Sequence, residues 1–298
     1  MSNFLEVEEN KDGTFGDQSS QILLYRHAES EANMIWRNKD MPDTEKLELE
    51  MNEKYRDTVL CENGIEQCES RRDILANINI HTVFISPLRR AMQTAYHSFK
   101  DHPNFDKIKF IIVPNLRECM NLASGIPYNI EKVIEEFSEL FPILDTSLFD
   151  SYEDKLHYFL DDTDEWIKKE VVPKIEPKEG DVIGDNTFDL LLEMSKAAKP
   201  HKLESKFNVL QRVNKVKAYI NDYVKSIAPD EKVAIVTHFF VLEMWTAIWE
   251  DSPYDPELKD VAKPTKYVCF KNTMPYYYSG NDTDSVEAAI LAEMEKSS

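Results

Sequence analysis

Charged and titratable side chains follow directly after several apolar runs of this 298-residue chain. The first such run ends in Arg26 and His27, and later runs are followed by Arg90, Glu118 and His238. Guanidinium groups bind anionic oxygens through forked hydrogen bonds. Imidazole can act as a nucleophile or a base, and a carboxyl group can donate a proton. Together these five residues could bind an anionic group and react with it, so they form the candidate site.

The five residues meet only if the apolar runs are neighbouring strands of one sheet. The runs cover 21–26, 81–87, 108–113 and 232–238, and they alternate with segments of helical periodicity. This alternation predicts an α/β fold with a mostly parallel sheet. Ligands of such sheets bind beyond the carboxyl ends of the strands. Two histidines, two arginines and a carboxylate are therefore expected at one edge.

A single strand that ends in a titratable residue has a simpler explanation, since surface residues commonly follow strands. For Arg26 and His27 alone, that explanation is as good as a functional one. The same arrangement after four runs favours a functional site.

Composition excludes several classes of protein. The net charge is −20, with 35 Lys and Arg against 55 Asp and Glu, which argues against binding to nucleic acid or to an anionic membrane. The four cysteines lack metal-site spacing and are expected to be reduced thiols of a cytoplasmic protein. Residues 1–20 do not resemble a signal peptide, and no apolar run is long enough to span a membrane. The seven glycines form no phosphate-cradling loop, so any phosphate must be held by side chains.

The sequence predicts one domain with two tails. Residues 1–20 are expected to be a disordered tail, 21–280 the domain, and 281–298 a helical C-terminal tail. Within the domain, 129–202 is predicted to be an acidic, helical insertion that caps one face. The charge-dense segment 37–58 is expected to be a solvated helical excursion.

Short motifs surround the candidate residues. In order they are Arg26–Asn33, Leu60–Gln67, Ser86–Ala95, Leu116–Glu118 and Thr237–His238. They resemble the R-H-G-x-S-x-x-N signature, the L-T-x-x-G-x-x-Q helix entry, the S-P-L-x-R-A-x-Q-T-A block, the L-R-E segment and the second-histidine block of the histidine phosphatase superfamily, in its branch of small phosphatases. Glu204-Ser205 and Arg212 also fit the superfamily's pattern.

The resemblance implies a phosphoglycerate-mutase-like fold, a three-layer α/β/α sandwich around a mostly parallel sheet with a helical cap insertion. It implies a metal-independent phosphomonoesterase that needs no cofactor and forms a phosphohistidine intermediate. The expected partner is a small phosphorylated substrate or a phosphoprotein, which the insertion would select.

The resemblance also assigns roles. His27 would be the nucleophile, and Glu118 the general acid and then the base. Arg26, Arg90 and a cationic His238 would clamp the phosphate oxygens.

Ser30 and Asn33 would add neutral donors to the phosphate site. Arg89 and Arg117 are weaker candidates, since either could be a structural or rim cation. No metal ligand is predicted.

The sequence departs from the superfamily pattern at two positions. Ala28 replaces a glycine, and Phe239 replaces a small residue after His238. The segment 119–127 lacks the basic and aromatic residues of phosphoglycerate mutases, which favours a phosphatase over a mutase. A pseudo-phosphatase that binds phosphate as a scaffold is the alternative that Phe239 leaves open.

Overall fold

The computed structural model describes residues 4–152, 204–249, 254–255, 260–261 and 264–280. The strands are Phe15–Gly16 (β1), Ile22–Arg26 (β2), Ile80–Ile85 (β3), Lys109–Ile112 (β4), Leu144–Asp145 (β5), Lys232–Thr237 (β6), Tyr254–Asp255 (β7), Asp260–Val261 (β8) and Pro275–Tyr277 (β9).

The α-helices are Glu31–Arg37 (α1), Asp43–Glu50 (α2), Glu62–Glu69 (α3), Arg72–Ala76 (α4), Arg89–Phe99 (α5), Ile130–Phe137 (α6), Lys206–Val224 (α7) and Phe239–Thr246 (α8). Short 3₁₀ turns cover Glu53–Tyr55, Phe105–Lys107, Pro114–Leu116, Ala123–Gly125 and Ser147–Ser151. In the described residues, no helix is long and apolar enough to cross a membrane.

In the part of the chain that the structure describes, seven strands form the central sheet, in the order β1-β9-β2-β6-β3-β4-β5. The strands from β2 to β5 in that order are parallel, whereas β9 pairs with β2 antiparallel. The strands β7 and β8 form a separate antiparallel pair. The predicted α/β class with a mostly parallel sheet is confirmed.

Both faces of the sheet are covered, which explains why its inner strands are apolar at consecutive positions. On β2, Leu23 and Tyr25 pack into a core with α4, α5 and α6. Ile22 and Leu24 face the opposite core, which α7 and α8 close. The layers are therefore helix, sheet and helix, as predicted.

The N-terminal segment differs from the predicted disordered tail. In the described residues 4–20, β1 pairs with β9, and the Leu5 amide donates to the Tyr267 carbonyl at 2.8 Å. Thr14 is fully buried. The polar sequence concealed this order because the few apolar side chains, Leu5, Val7 and Phe15, pack against the core while backbone bonds to the far end of the chain pair the segment.

The insertion and the C-terminal tail lie mostly outside the described residues. Of the predicted insertion 129–202, the structure describes 129–152, which contains α6 and β5. The predicted tail 281–298 is outside the described residues. The domain boundaries stay a prediction.

Candidate active site

The two histidines follow the two central strands of the sheet. Arg26 on β2 is in register with Thr237 on β6, so His27 and His238 come next on neighbouring strands. The His27 amide donates to the Thr237 carbonyl at 2.8 Å, which holds the strand ends together. The imidazole centroids lie 4.9 Å apart with the rings tilted by 53°. The sheet thus brings these histidines together.

Hydrogen bonding fixes the tautomer of His27. Its Nδ1 lies 2.7 Å from the Ala28 carbonyl, which can only accept, so Nδ1 carries the proton. The Nε2 atom then has a lone pair, toward which the Arg90 Nε–H is directed at 3.4 Å. Burial, Arg90 and Arg26 lower the pKa of His27 well below its usual value, so the ring is neutral. A neutral, buried imidazole that keeps a lone pair on Nε2 can act as a nucleophile.

His238 is oriented by a serine. Its Nε2 lies 2.6 Å from Ser86 Oγ, which also accepts a bond from the Leu88 amide at 3.2 Å. The buried Nδ1 makes no hydrogen bond within the described residues. Burial, followed by Arg90 and His27, lowers the pKa of His238 well below its usual value. The cationic form predicted for His238 therefore requires an anion beside it.

Arg90 enters the site from the first turn of α5. It is buried, and its Nη1 donates to the Ser124 carbonyl at 2.6 Å. Thr94 connects this helix to the residue after His27, since its Oγ1 accepts from the Ala28 amide at 2.9 Å and donates to the Arg90 carbonyl at 2.7 Å. Ala28 is fully buried in this arrangement.

The guanidinium group of Arg26, the last residue of β2, donates a hydrogen bond at its edge and packs against an aromatic ring with its face. Its Nη1 donates to the Phe270 carbonyl at 2.8 Å, and its guanidinium carbon lies 5.1 Å from the centre of the Phe239 ring. Its buried Nε makes no hydrogen bond within the described residues. Phe239 therefore flanks the arginine, and His238 keeps its bond to Ser86.

Glu118 is held by backbone amides. The Cys119 amide donates to one carboxyl oxygen at 3.0 Å and the Phe240 amide to the other at 3.4 Å. Burial raises the pKa of Glu118, while Arg90 and these bonds oppose the shift. The net effect favours the protonated carboxyl group, which is the form that a general acid needs.

Ser30 and Asn33 form a capping box at the start of α1. Ser30 Oγ accepts from the Asn33 amide at 3.4 Å, and Asn33 Oδ1 accepts from the Ser30 amide at 3.1 Å. Both side chains use an oxygen atom as acceptor in these bonds, so the hydroxyl hydrogen of Ser30 and the amide hydrogens of Asn33 can still be donated. Their predicted part in phosphate binding stays a prediction.

The two weaker candidates have structural partners. Arg89 lies at the rim, with its Nε 2.9 Å from one Glu136 oxygen and its Nη2 3.1 Å from the other. Arg117 is buried in an ion pair with Glu204, at 2.6 Å. No group of three His, Cys, Asp or Glu side chains able to hold a metal occurs in the described segments.

Comparison with models of protein families gives one match. The model described as the histidine phosphatase superfamily (branch 1) matches residues 22–141. The similarity to this superfamily therefore covers this segment of the chain. The matched residues include His27, Arg90 and Glu118, whereas His238 lies beyond them. The resemblance drawn from the sequence motifs is confirmed.

Solved structures with a related shape include phosphatases of low identity. One is a putative α-ribazole-5′-P phosphatase from Escherichia coli (18% identity, 75% of this chain and 76% of that one, TM-score 0.36). A second is a mycobacterial glucosyl-3-phosphoglycerate phosphatase (15% identity, 76% of this chain and 77% of that one, TM-score 0.37). A third is an ecdysone phosphate phosphatase from Bombix mori (14% identity, 89% of this chain and 98% of that one, TM-score 0.38). TM-scores this low say nothing about the substrate of the present chain. The search of curated proteins found no match.

Several residues that support the superfamily site were missed by sequence reasoning. Ser86 and Thr94 lie inside the S-P-L-x-R-A-x-Q-T-A block, so that motif was the signal for them. Asn272 had no such signal, yet its Nδ2 donates to the His27 carbonyl at 2.6 Å. The Phe270 carbonyl, which holds Arg26, is equally far along the chain.

Proposed function

We propose that the protein is a metal-independent phosphomonoesterase that acts through a phosphohistidine on His27. The observation that carries this proposal is the state of His27: its Nδ1 proton is fixed on the Ala28 carbonyl, which leaves the Nε2 lone pair beside Arg90. The substrate is a small phosphorylated molecule or a phosphoprotein.

In the first step, the Nε2 lone pair of His27 attacks phosphorus. The ester P–O bond breaks, and Glu118 gives its proton to the leaving oxygen. Arg26 and Arg90 bind the phosphoryl oxygens, and His238 Nδ1 takes a proton from the monoanion of the substrate as it binds and returns that proton to inorganic phosphate as it leaves. The positive charge of these groups stabilises the transition state.

In the second step, the Glu118 carboxylate accepts a proton from water. The water oxygen forms a bond to phosphorus, and the P–N bond electrons return to His27 Nε2. Inorganic phosphate leaves, with Glu118 protonated and His27 neutral again. Nucleophile and acid are then ready for another turnover.

The pKa shifts suit these two roles. A lowered pKa keeps His27 neutral in mildly acidic solution, and a raised pKa keeps Glu118 protonated above its usual range. Both reactive forms therefore coexist on the acidic side of neutrality.

A phosphate-binding protein without turnover is the second candidate. The observation that favours it is Phe239, an aromatic residue placed against the guanidinium of Arg26. A ring at this position restricts how Arg26 can move around a reacting phosphoryl group. Binding would then survive while hydrolysis is slow.

Hydrolysis of 4-nitrophenyl phosphate in excess chelator tests the proposal. The assay compares wild type, His27→Ala and His81→Ala, because His81 is a histidine of β3 bonded to the neighbouring Thr82. We expect chelator-resistant turnover in wild type and His81→Ala, and none in His27→Ala. Turnover that requires a divalent metal contradicts the mechanism. Vanadate binding without turnover supports the second candidate.

A further inference from the structure

Glu204 lies at the centre of a buried ion triad behind the candidate general acid. Its carboxylate accepts from Arg117 Nη1 at 2.6 Å and from Arg212 Nε at 2.8 Å. All three side chains are at most 1% exposed. Burial opposes ionisation, but Arg117 and Arg212 lower the pKa of Glu204 to about 2. The triad therefore carries one net positive charge at neutral pH.

Glu204 also binds the backbone and side chains on the C-terminal side of Glu118. Its carboxylate accepts from the Met120 amide at 3.1 Å. Its carbonyl accepts from Asn121 Nδ2 at 3.0 Å and from the Cys119 thiol at 3.4 Å, and its amide donates to Asn121 Oδ1 at 3.2 Å. Glu204 is thus bonded to each of the three residues that follow the general acid.

Arg212 fixes the N-terminal side of the same segment. Its Nη1 donates to the carbonyls of Asn115 and Arg117, both at 2.7 Å. The backbone around Glu118 is therefore held on both sides by the triad. The Glu118 carboxyl itself accepts from two backbone amides in the described structure, at 3.0 and 3.4 Å.

Stability alone is a poor explanation of such a triad. Burying three charges has a desolvation cost that their attraction offsets only in part, and apolar residues of similar volume often serve as well. Charged groups do supply directional bonds, which fix a backbone segment in one geometry. Proton transfer is sensitive to such geometry, because acid and leaving oxygen must come within hydrogen-bonding distance.

We propose that Glu204 is a positioning residue for the proton donor: it holds the segment 117–121 so that Glu118 meets the leaving oxygen. This inference rests on the proposed function, and it concerns only the proton-transfer step. Arg212 contributes to the same arrangement: burial raises the pKa of Glu118, and the charge of Arg212 opposes that rise. Neither residue touches the substrate.

The test exploits the leaving group. Dinitrophenolate leaves without a proton, whereas phenolate needs one, so loss of the acid affects phenyl phosphate selectively. Values of kcat/KM for phenyl phosphate and 2,4-dinitrophenyl phosphate are measured for wild type, Glu118→Gln and Glu204→Gln. The value of kcat/KM depends only on the steps up to formation of the phosphoenzyme, so the rate of phosphoenzyme hydrolysis does not affect it. The exposed pair Arg89–Glu136 supplies the matched control, Glu136→Gln.

We expect Glu118→Gln to lose at least about 100-fold on phenyl phosphate, within the usual contribution of acid–base catalysis. Glu204→Gln should lose about tenfold or more on phenyl phosphate and less than about threefold on the dinitrophenyl ester. Glu136→Gln should be unchanged on both. Equal losses of Glu204→Gln on the two esters overturn the positioning role, because misfolded protein is inactive toward both.

Two further measurements keep the outcomes separate. Circular dichroism first shows whether Glu204→Gln is folded. If this variant is not folded, Arg212→Lys is measured in its place, because lysine keeps the positive charge but lacks the guanidinium that binds two backbone carbonyls. The same selective loss on phenyl phosphate is expected for Arg212→Lys. Absence of turnover in wild type counts against the proposed function itself. Turnover in wild type with unselective losses in both variants counts against the role of Glu204 alone.

Discussion

Asp57 is a buried carboxyl group with a defined effect on stability. It is fully buried beside α5, where Oδ1 accepts from the Arg89 amide at 2.8 Å and Oδ2 from the Tyr128 amide at 3.4 Å. Burial raises its pKa to about 6, although Arg90 and these bonds oppose the shift. We predict that Asp57→Asn stabilises the protein at neutral pH and changes little in acid.

The sign follows from proton binding. Between the unfolded pKa of 3.8 and the folded value of about 6, the folded state holds a proton that the unfolded state has released. Stability therefore falls as pH rises through this window, by about 3 kcal/mol in total at about 1.4 kcal/mol per pKa unit. The asparagine side chain does not titrate, so the stability of Asp57→Asn does not fall over this pH range for this reason. From about pH 4.5 to about pH 7.5, the variant should gain about 2 kcal/mol relative to wild type.

Urea unfolding of both proteins at the two pH values measures this change. The control is Asp145→Asn. Partial burial opposes ionisation there, but hydrogen bonds from Lys109 and Ser147 lower the pKa of Asp145 to about 2, below the tested range. Its effect should therefore be equal at both pH values, because Asp145 is ionised throughout the tested range. An Asp57→Asn difference that does not change with pH refutes the reasoning.

Three further predictions concern turnover. Arg90→Lys removes the Nε–H that is directed at His27 Nε2 and should lower kcat/KM about 30-fold, since a charged hydrogen bond contributes about 2 kcal/mol; a loss below about threefold contradicts this role. Phe239→Leu should weaken inhibition by inorganic phosphate about fivefold, because Arg26 loses a ring contact of about 1 kcal/mol; unchanged inhibition would mean that the ring does not orient Arg26. The lowered pKa of His27 and the raised pKa of Glu118 predict a bell-shaped kcat/KM profile with an acidic maximum, and an alkaline maximum would exclude their assigned roles.

The sheet and the meeting of its edge residues could be predicted because both depend on local patterns. The apolar runs that became β2, β3, β4 and β6 are buried on both faces, so their hydrophobicity was visible in the sequence. The position of Arg26 and His27 then followed from the strand end. By contrast, β9 at Pro275–Tyr277 was not predicted, because its pairing with β1 and β2 uses backbone bonds that side-chain patterns do not encode.

The segment 37–58 shows a second limit of sequence reasoning. Its charge predicted a solvated excursion, yet Glu50, Arg56 and Asp57 are at most 6% exposed. Each has a specific partner, such as the Pro127 carbonyl that accepts from Arg56 Nη2 at 2.9 Å. Buried charges of this kind are stable only with partners, and those partners come from a different part of the chain.

The supports of the nucleophile have a consequence for synthesis of the protein. The Thr273 amide and the Phe270 carbonyl bind Arg26, and Asn272 binds His27 across 245 positions of sequence. A nascent chain therefore carries Arg26, His27, Arg90, Glu118 and His238 before the residues that hold β2 in place have left the ribosome. Because translation adds about 5–20 residues per second, this interval lasts seconds. The proposed phosphate site therefore gains these bonds only after residues 270–277 have been synthesised and β9 has paired with β2.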